Sequence, residues 1–260
     1  MFKTVLITEM SKLRRSPITW ISWLGVSLMP LVSGLFMWVV KEPDRATQLG
    51  LLGQKAQFAG AVADWPGYIA MLLQALGIGG TILIAVITAY LFGREYADGT
   101  IKNLLALPVA RHHFVTAKLV TALFWFGLLI GWLAVEGFVV GWLLALPGFD
   151  LRVILPAAGE LFLIGLVAWL LTPAVAWVAL WGRGYLAPLG FTIFMLMLGM
   201  VVGATGWGKW FPWSIAPLFA GVAGPRVETL TPGSLIVLGA TFIVCAVGTM
   251  LHLRYADNMQ

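Results

Sequence analysis

The chain has 260 residues, 60% of them hydrophobic and only 10% charged. Soluble domains carry about 25% charged residues, so this balance excludes a water-soluble globular fold and indicates a polytopic membrane protein. The net charge of +5 accordingly speaks to topology and anionic lipid, and not to nucleic acid.

Residues 1–16 set Phe2, Val5, Leu6, Met10 and Leu13 at helical spacing against Lys3, Glu9, Lys12, Arg14 and Arg15. This pattern fits an amphipathic helix on the inner membrane surface; a frayed basic tail is the plainer alternative. Six apolar runs follow, at about 18–40, 68–92, 120–146, 153–181, 186–202 and 235–253. Each is near or above the ~20 residues that cross a ~30 Å hydrocarbon layer. The first is too long for the apolar part of a cleavable signal peptide and should remain as an anchor. The expected fold is therefore all-α, a single transmembrane domain over residues 1–260 with six membrane-spanning helices and an N-terminal interfacial helix. An even number of spans puts both termini on one side. Counting Lys and Arg gives ten on the terminal side and six on the other. That asymmetry places both termini in the cytoplasm of a multi-pass cell-membrane protein.

Between the first and second runs, residues 41–64 mix charges with Leu49, Leu51, Leu52 and Phe58, suggesting a short amphipathic helix on the outer surface. Between the fifth and sixth, the apolar stretch 211–224 is too short to span. Pro212 and Pro217 interrupt it and Trp207, Trp210 and Trp213 flank or enter it, so a re-entrant or interfacial hairpin covered by protein is expected.

The longest polar interval with a local design of its own is FGREYADGTIKNLLALPVARHHFVTAKL, residues 92–119. Gly93 and Gly99 frame Arg94, Glu95 and Asp98. Ile101, Leu104, Leu105 and Leu107 then predict one short helix, capped by Asp98 or Thr100 and stopped by Pro108. A basic run of Arg111, His112, His113 and Lys118 follows.

Other motifs carry less. Gly203-Ala-Thr-Gly206-Trp-Gly208-Lys209 is a nominal phosphate loop, yet Trp210 stands where a Ser or Thr would hold magnesium, and the segment is expected outside. The chain thus carries no ATPase of its own. Adjacent His112 and His113 do not make the i, i+4 pair of a helical metal site, and Cys245 has no partner, so no metal is expected. Nothing resembles a nucleophile with its base. Glu136 and Glu160 fall in the outer halves of expected spans and could be neighbours. An ionised carboxylate at the bilayer centre costs about 2.5–3.5 kcal/mol, so each should face protein or a water-filled cavity. Each is then either a point on a substrate path or a hydrogen-bonded packing residue. The pairs Gly127–Gly131, Gly137–Gly141 and Gly199–Gly203 fit small-residue helix packing, within the chain or between chains.

Residues 92–119 resemble the signature between the second and third spans of ABC-2 type transporter permeases, in particular the group with the bacitracin-resistance and lantibiotic self-immunity permeases. The matching residues are Glu95, Gly99-Thr100-Ile101-Lys102, Leu104-Leu105, Pro108-Val109, Arg111 and Ala117-Lys118. The likeness extends to Glu9, Lys12 and Leu13 and to Phe211-Pro212-Trp213-Ser214. It implies that residues 93–111 hold a coupling helix docking in a groove of a separate ATP-binding subunit. Gly93, Arg94, Glu95, Asp98, Gly99, Thr100, Lys102, Leu105, Pro108 and Arg111 would form the contact set. Arg94, Glu95, Asp98 and Lys102 would pair with charges across that interface, and Arg183 in the short turn at 181–185 would be a second contact. Two permease chains and two ATPases would make the transporter, with ATP and Mg bound by the partner and no cofactor in this chain. The implied function is ATP-driven export, or extraction from the membrane, of an amphipathic peptide antibiotic, drug or lipid-like molecule. Two other readings stay open: a membrane-embedded enzyme or assembly factor, and an ATP-independent secondary transporter using Glu136 and Glu160.

Overall fold

Helices supply all the regular structure among the described residues of the computed structural model, which are 2–50, 62–101, 108–222 and 230–255. The order is α1 (Phe2–Arg14), α2 (Pro17–Lys41), α3 (Pro43–Gln48), α4 (Trp65–Ala75), a π turn (Leu76–Gly80) and α5 (Thr81–Ala97). It continues with α6 (Arg111–Leu143), α7 (Leu151–Trp169), α8 (Thr172–Trp181), α9 (Leu186–Gly203), a 3₁₀ turn (Gly208–Trp210), α10 (Pro212–Phe219) and α11 (Pro232–Tyr255). Six helical rods are long and apolar enough to cross a membrane: Pro17–Lys41, Trp65–Ala97, Arg111–Leu143, Leu151–Trp181, Leu186–Gly203 and Pro232–Tyr255. Of the amphipathic helix expected over 41–64, only α3 is described; Leu51, Leu52 and Phe58 lie outside the described residues.

Local chemistry explains where the rods start and break. Pro17 and Pro43 sit at helix starts, where a missing N–H leaves no bond unmade. The corner between α1 and α2 is held by Ser16 Oγ and Thr19 Oγ1, which both donate to Leu13 O at 2.6 Å. Span four breaks between Trp169 and Thr172 because Pro173 cannot donate back into the preceding turn; Thr172 Oγ1 bonds Trp169 O there at 2.7 Å. Span three is one unbroken helix of 33 residues. At ~1.5 Å per residue it is ~50 Å long, well beyond a ~30 Å hydrocarbon core, so it projects from the membrane. The basic run Arg111, His112, His113 and Lys118 is therefore the first turns of α6 and not a loop before it.

The core lies among α1, α2, α5, α6 and the α7–α8 rod, with Leu13, Val26, Leu76, Phe126 and Leu129 almost fully buried. Several tryptophans act as inter-helix struts, beyond any membrane-interface role. Trp125 and Trp132 on α6 donate to Ser22 and Ser27 on α2 at 3.0 and 2.9 Å, and Trp169 donates to Leu119 O at 3.0 Å. Two of the three glycine pairs are close approaches. A Cβ at Gly137 or Gly141 would meet Leu72 or Trp65 on α4 at 2.8 and 2.7 Å, and one at Gly199 would meet the α10 backbone at 3.0 Å. Gly127 by contrast faces open space. The short helix α10 is buried from Trp213 to Pro217. Its preceding turn is tied to α11 by Ser234 Oγ to Lys209 O at 2.9 Å, and its exit to α4 by Gln74 Nε2 to Gly221 O at 3.2 Å. The stretch around Pro212 and Pro217 is thus a short helix packed between α4 and α11.

Candidate functional site

At the end of the bundle that gathers both termini, α1, α5 and α6 meet around a buried cluster of four charges. Lys118 Nζ, two turns into α6, donates to Glu9 Oε2 and Glu95 Oε1, each at 2.9 Å, and also to Leu91 O. Lys12 Nζ lies 3.0 Å from Glu9 Oε1 and 3.5 Å from Glu95 Oε1. Glu9, Glu95 and Lys118 are only 2%, 3% and 3% exposed, so water does not screen these pairs. Two carboxylates face two ammonium groups, and the cluster is neutral overall. Burial alone would raise the Glu9 carboxyl; the charges and hydrogen bonds of Lys118 and Lys12 more than offset it and hold the group below its ordinary value. Such a cluster adds little net stability over an apolar core, but breaking one arm is costly, so it fixes one arrangement of three helices.

Immediately beyond Glu95, α5 ends in a defined stop. Gly99 takes a left-handed φ of +66°, Gly99 N donates to Tyr96 O at 3.2 Å, and Thr100 N donates to Glu95 O at 2.9 Å. This is the Schellman arrangement, for which glycine is the fitting residue. The carbonyl of Glu95 thus ends the helix while its side chain enters the ion cluster. Asp98, Gly99, Thr100 and Pro108 are exposed. Ile101 is buried at 8% exposure. Lys102 and Leu105, with the rest of the helix expected over 101–107, lie outside the described residues.

Residues expected to share one contact surface stand in different surroundings. Glu95 was expected to offer its charge outward and instead turns inward, because Lys118 and Lys12 provide the counter-charge. Gly93 is buried as well: a Cβ there would meet Gly184 O at 2.8 Å, so α5 touches the turn between spans four and five at this residue. Arg94 Cζ stands 5.3 Å over the Tyr90 ring, and Tyr90 stacks on Tyr185 with centroids 6.1 Å apart. Burial and the nearby negative charge of Asp98 push the Tyr185 hydroxyl above its ordinary value. Arg111 Nη1 donates to Leu253 O at 2.9 Å, tying the start of α6 to the last turn of α11. In the turn between spans four and five, Arg183 is exposed with φ +50°, a left-handed conformation unfavourable to a residue with a side chain.

Glu136 lies on α6 within electrostatic reach of Tyr68, and its Oε2 is buried without a hydrogen bond among the described residues. Glu160 is half-buried on α7. A small cavity of about 50 Å³ beside them is lined by Trp65, Leu72, Gly137 and Leu161, and its lining includes neither carboxylate. Among the described residues no group of His, Cys, Asp and Glu could hold a metal ion.

Glu9 and Lys118 were the members least visible in the sequence, where they counted as an outer-face charge and part of a basic run. A signal existed: Glu9 shares a helix face with Leu13 four residues on, so a carboxylate in the buried stripe required a buried cation.

A family model described as ABC-2 family transporter protein matches residues 5–199. The chain is also similar to the bacitracin transport permease protein BCRB of Bacillus licheniformis, with 29% identity over 202 residues, covering 77% of this chain and 93% of that protein.

Proposed function

Because the chain belongs to the ABC-2 transporter family, we propose that it is the membrane-spanning subunit of an ATP-driven exporter, moved by a separate ATP-binding chain. In this reading the terminal end of the bundle is cytoplasmic, consistent with the ten-to-six excess of Lys and Arg on that side. The connector at 98–110 is then the docking element. Its exposed residues Asp98, Gly99, Thr100 and Pro108, with Lys102 and Leu105, meet the partner, while Arg94 supports the contact from the side.

The observation that carries the proposal is the Glu9–Lys12–Glu95–Lys118 cluster directly behind the connector. A push on a short connector moves two spans as a body only if their ends are locked together, and the cluster locks α5, α6 and α1. Gly93 and the Tyr90–Tyr185 stack extend the lock to the turn bearing Arg183. ATP-driven closure of the partner would thereby shift the whole bundle between two arrangements. ATP and magnesium belong to the partner, and a second permease chain, identical or not, completes the pathway.

Similarity to a bacitracin transport permease supports an amphipathic peptide antibiotic as substrate. The test is co-expression with an ABC-type ATP-binding subunit in a bacitracin-sensitive host. We expect the two chains to co-purify, resistance to require ATP hydrolysis, and Asp98→Lys to release the ATPase without loss of membrane insertion. Transport that persists without any ATPase and disappears with Glu136→Gln would replace this reading by a secondary transporter.

A further inference from the structure

A groove of about 330 Å³ runs between α1 and the first membrane turns of α6. Ile7, Met10 and Arg14 form one wall, at i, i+3 and i+7; Thr121, Trp125 and Leu128 form the other, at i, i+4 and i+7. One face of each helix thus lines the groove over about two turns. Its volume is roughly ten times the ~30 Å³ share of a water molecule, and most of its lining is apolar.

The groove is nevertheless not uniform. Thr121 is fully buried in its wall, and its hydroxyl takes no hydrogen bond among the described residues. At the other side Arg14 stands exposed next to exposed Arg15. The sole acidic residue of α1, Glu9, is already neutralised inside by Lys118, so the outward face of this helix end is purely cationic. An apolar slot closed by a cationic rim, at the depth where a span leaves the membrane, matches a molecule with a hydrocarbon tail and an anionic head.

We propose that this groove binds one anionic phospholipid of the leaflet at the terminal end, an acyl chain along the two helix faces and its phosphate on Arg14. Bound there, the lipid braces α1 against α6 beside the ion cluster, so leaflet charge tunes how firmly the cluster is held. The site rests on the membrane-spanning reading and is independent of which ATPase docks.

The test uses the full-length chain in phosphatidylcholine nanodiscs, titrated with phosphatidylglycerol of the same acyl length. Native mass spectrometry counts retained lipid, and thermal unfolding reads the stabilisation. We expect one phosphatidylglycerol held per chain in preference to phosphatidylcholine. Arg14→Gln should weaken it about fivefold, the worth of one basic residue at an anionic surface, and Arg14→Lys should retain it. Ser11→Trp, which fills the groove, should abolish the retained lipid while the melting temperature in phosphatidylcholine stays near wild type. Should Ser11→Trp misfold, the exposed Arg14 pair of variants decides alone. Equal retention of both lipids, or wild-type phosphatidylglycerol binding by Arg14→Gln, overturns the proposal. So does a lipid-independent dimer that Ser11→Trp dissolves, which would seat a second copy in the groove.

Discussion

Replacing Lys118 by methionine removes the buried one of the two ammonium groups that Glu9 and Glu95 share. The substitution keeps most of the side-chain volume, so its effect is electrostatic. Glu9 and Glu95, 2% and 3% exposed, then depend on Lys12 alone, which reaches them at 3.0 and 3.5 Å and is one-third exposed. Removing one partner of a buried ion pair costs about 3–5 kcal/mol, and Lys12 should keep the loss near the lower figure. The element released is α1, which is held to α6 by this cluster and by Leu13, 1% exposed. In a Cys245→Ala background, a thiol introduced by Leu13→Cys reports the opening of α1 through its maleimide labelling rate. A loss of about 3 kcal/mol corresponds to labelling roughly a hundredfold faster, since ~1.4 kcal/mol is a factor of ten. The combined variant Glu9→Gln, Glu95→Gln, Lys118→Met should label far more slowly than Lys118→Met alone, because no buried charge is left unpaired and Lys12, one-third exposed, can be solvated. Wild-type labelling in the Lys118→Met variant, or equal labelling in the single and combined variants, would show that the cluster does not hold α1.

Other perturbations follow from the same geometry. Glu9 has a lowered folded-state pKa, so its contribution is present above the ordinary value of 4.5 and is lost as pH falls through the lower folded value. Labelling at position 13, divided by that of a fully exposed thiol at the same pH to remove the thiolate dependence, should be flat from pH 5 to 8 and rise only in stronger acid. Gly93→Val should cost about 1–3 kcal/mol, because its branches must displace the Gly184 carbonyl that a Cβ meets at 2.8 Å; the loss is read as a lower melting temperature. Arg183→Gly relieves a left-handed φ of +50° and should stabilise the chain by about 1 kcal/mol. The same change should reduce substrate-stimulated ATPase activity of the assembled transporter if Arg183 touches the partner; unchanged stimulation removes it from the interface.

Much of the architecture was legible in the chain because membrane insertion writes itself in composition. Long apolar runs must become helices, since backbone groups find no partner in hydrocarbon, and six rods follow from six runs. The rod ends were not legible. Hydropathy stops where charge begins, whereas α5 runs on through Gly93, Arg94 and Glu95 to Ala97, and α6 already begins at Arg111. Charged residues continue a helix as readily as apolar ones, and only the left-handed stop at Gly99 ends α5. Similarly, the Gly127–Gly131 pair reads like the other two, yet Gly127 faces open space, because spacing fixes a helix face and not the neighbour opposite it.

The sequence by itself determined a six-span helical membrane protein, the family resemblance and the position of the connector between spans two and three. These depend on local polarity and spacing, which a linear reading carries in full. Only the tertiary structure decided which charges of that region face outward and which face each other. Glu9 and Lys118 are 109 residues apart and meet at 2.9 Å, because α1 folds back onto α6 after the Ser16 corner. Spacing can mark a charge such as Glu9 as lying on a buried face, but which charge meets it there belongs to the helix that packs against it. That choice turned Glu95 inward and packed the N-terminal helix against α5 and α6 through the ion cluster.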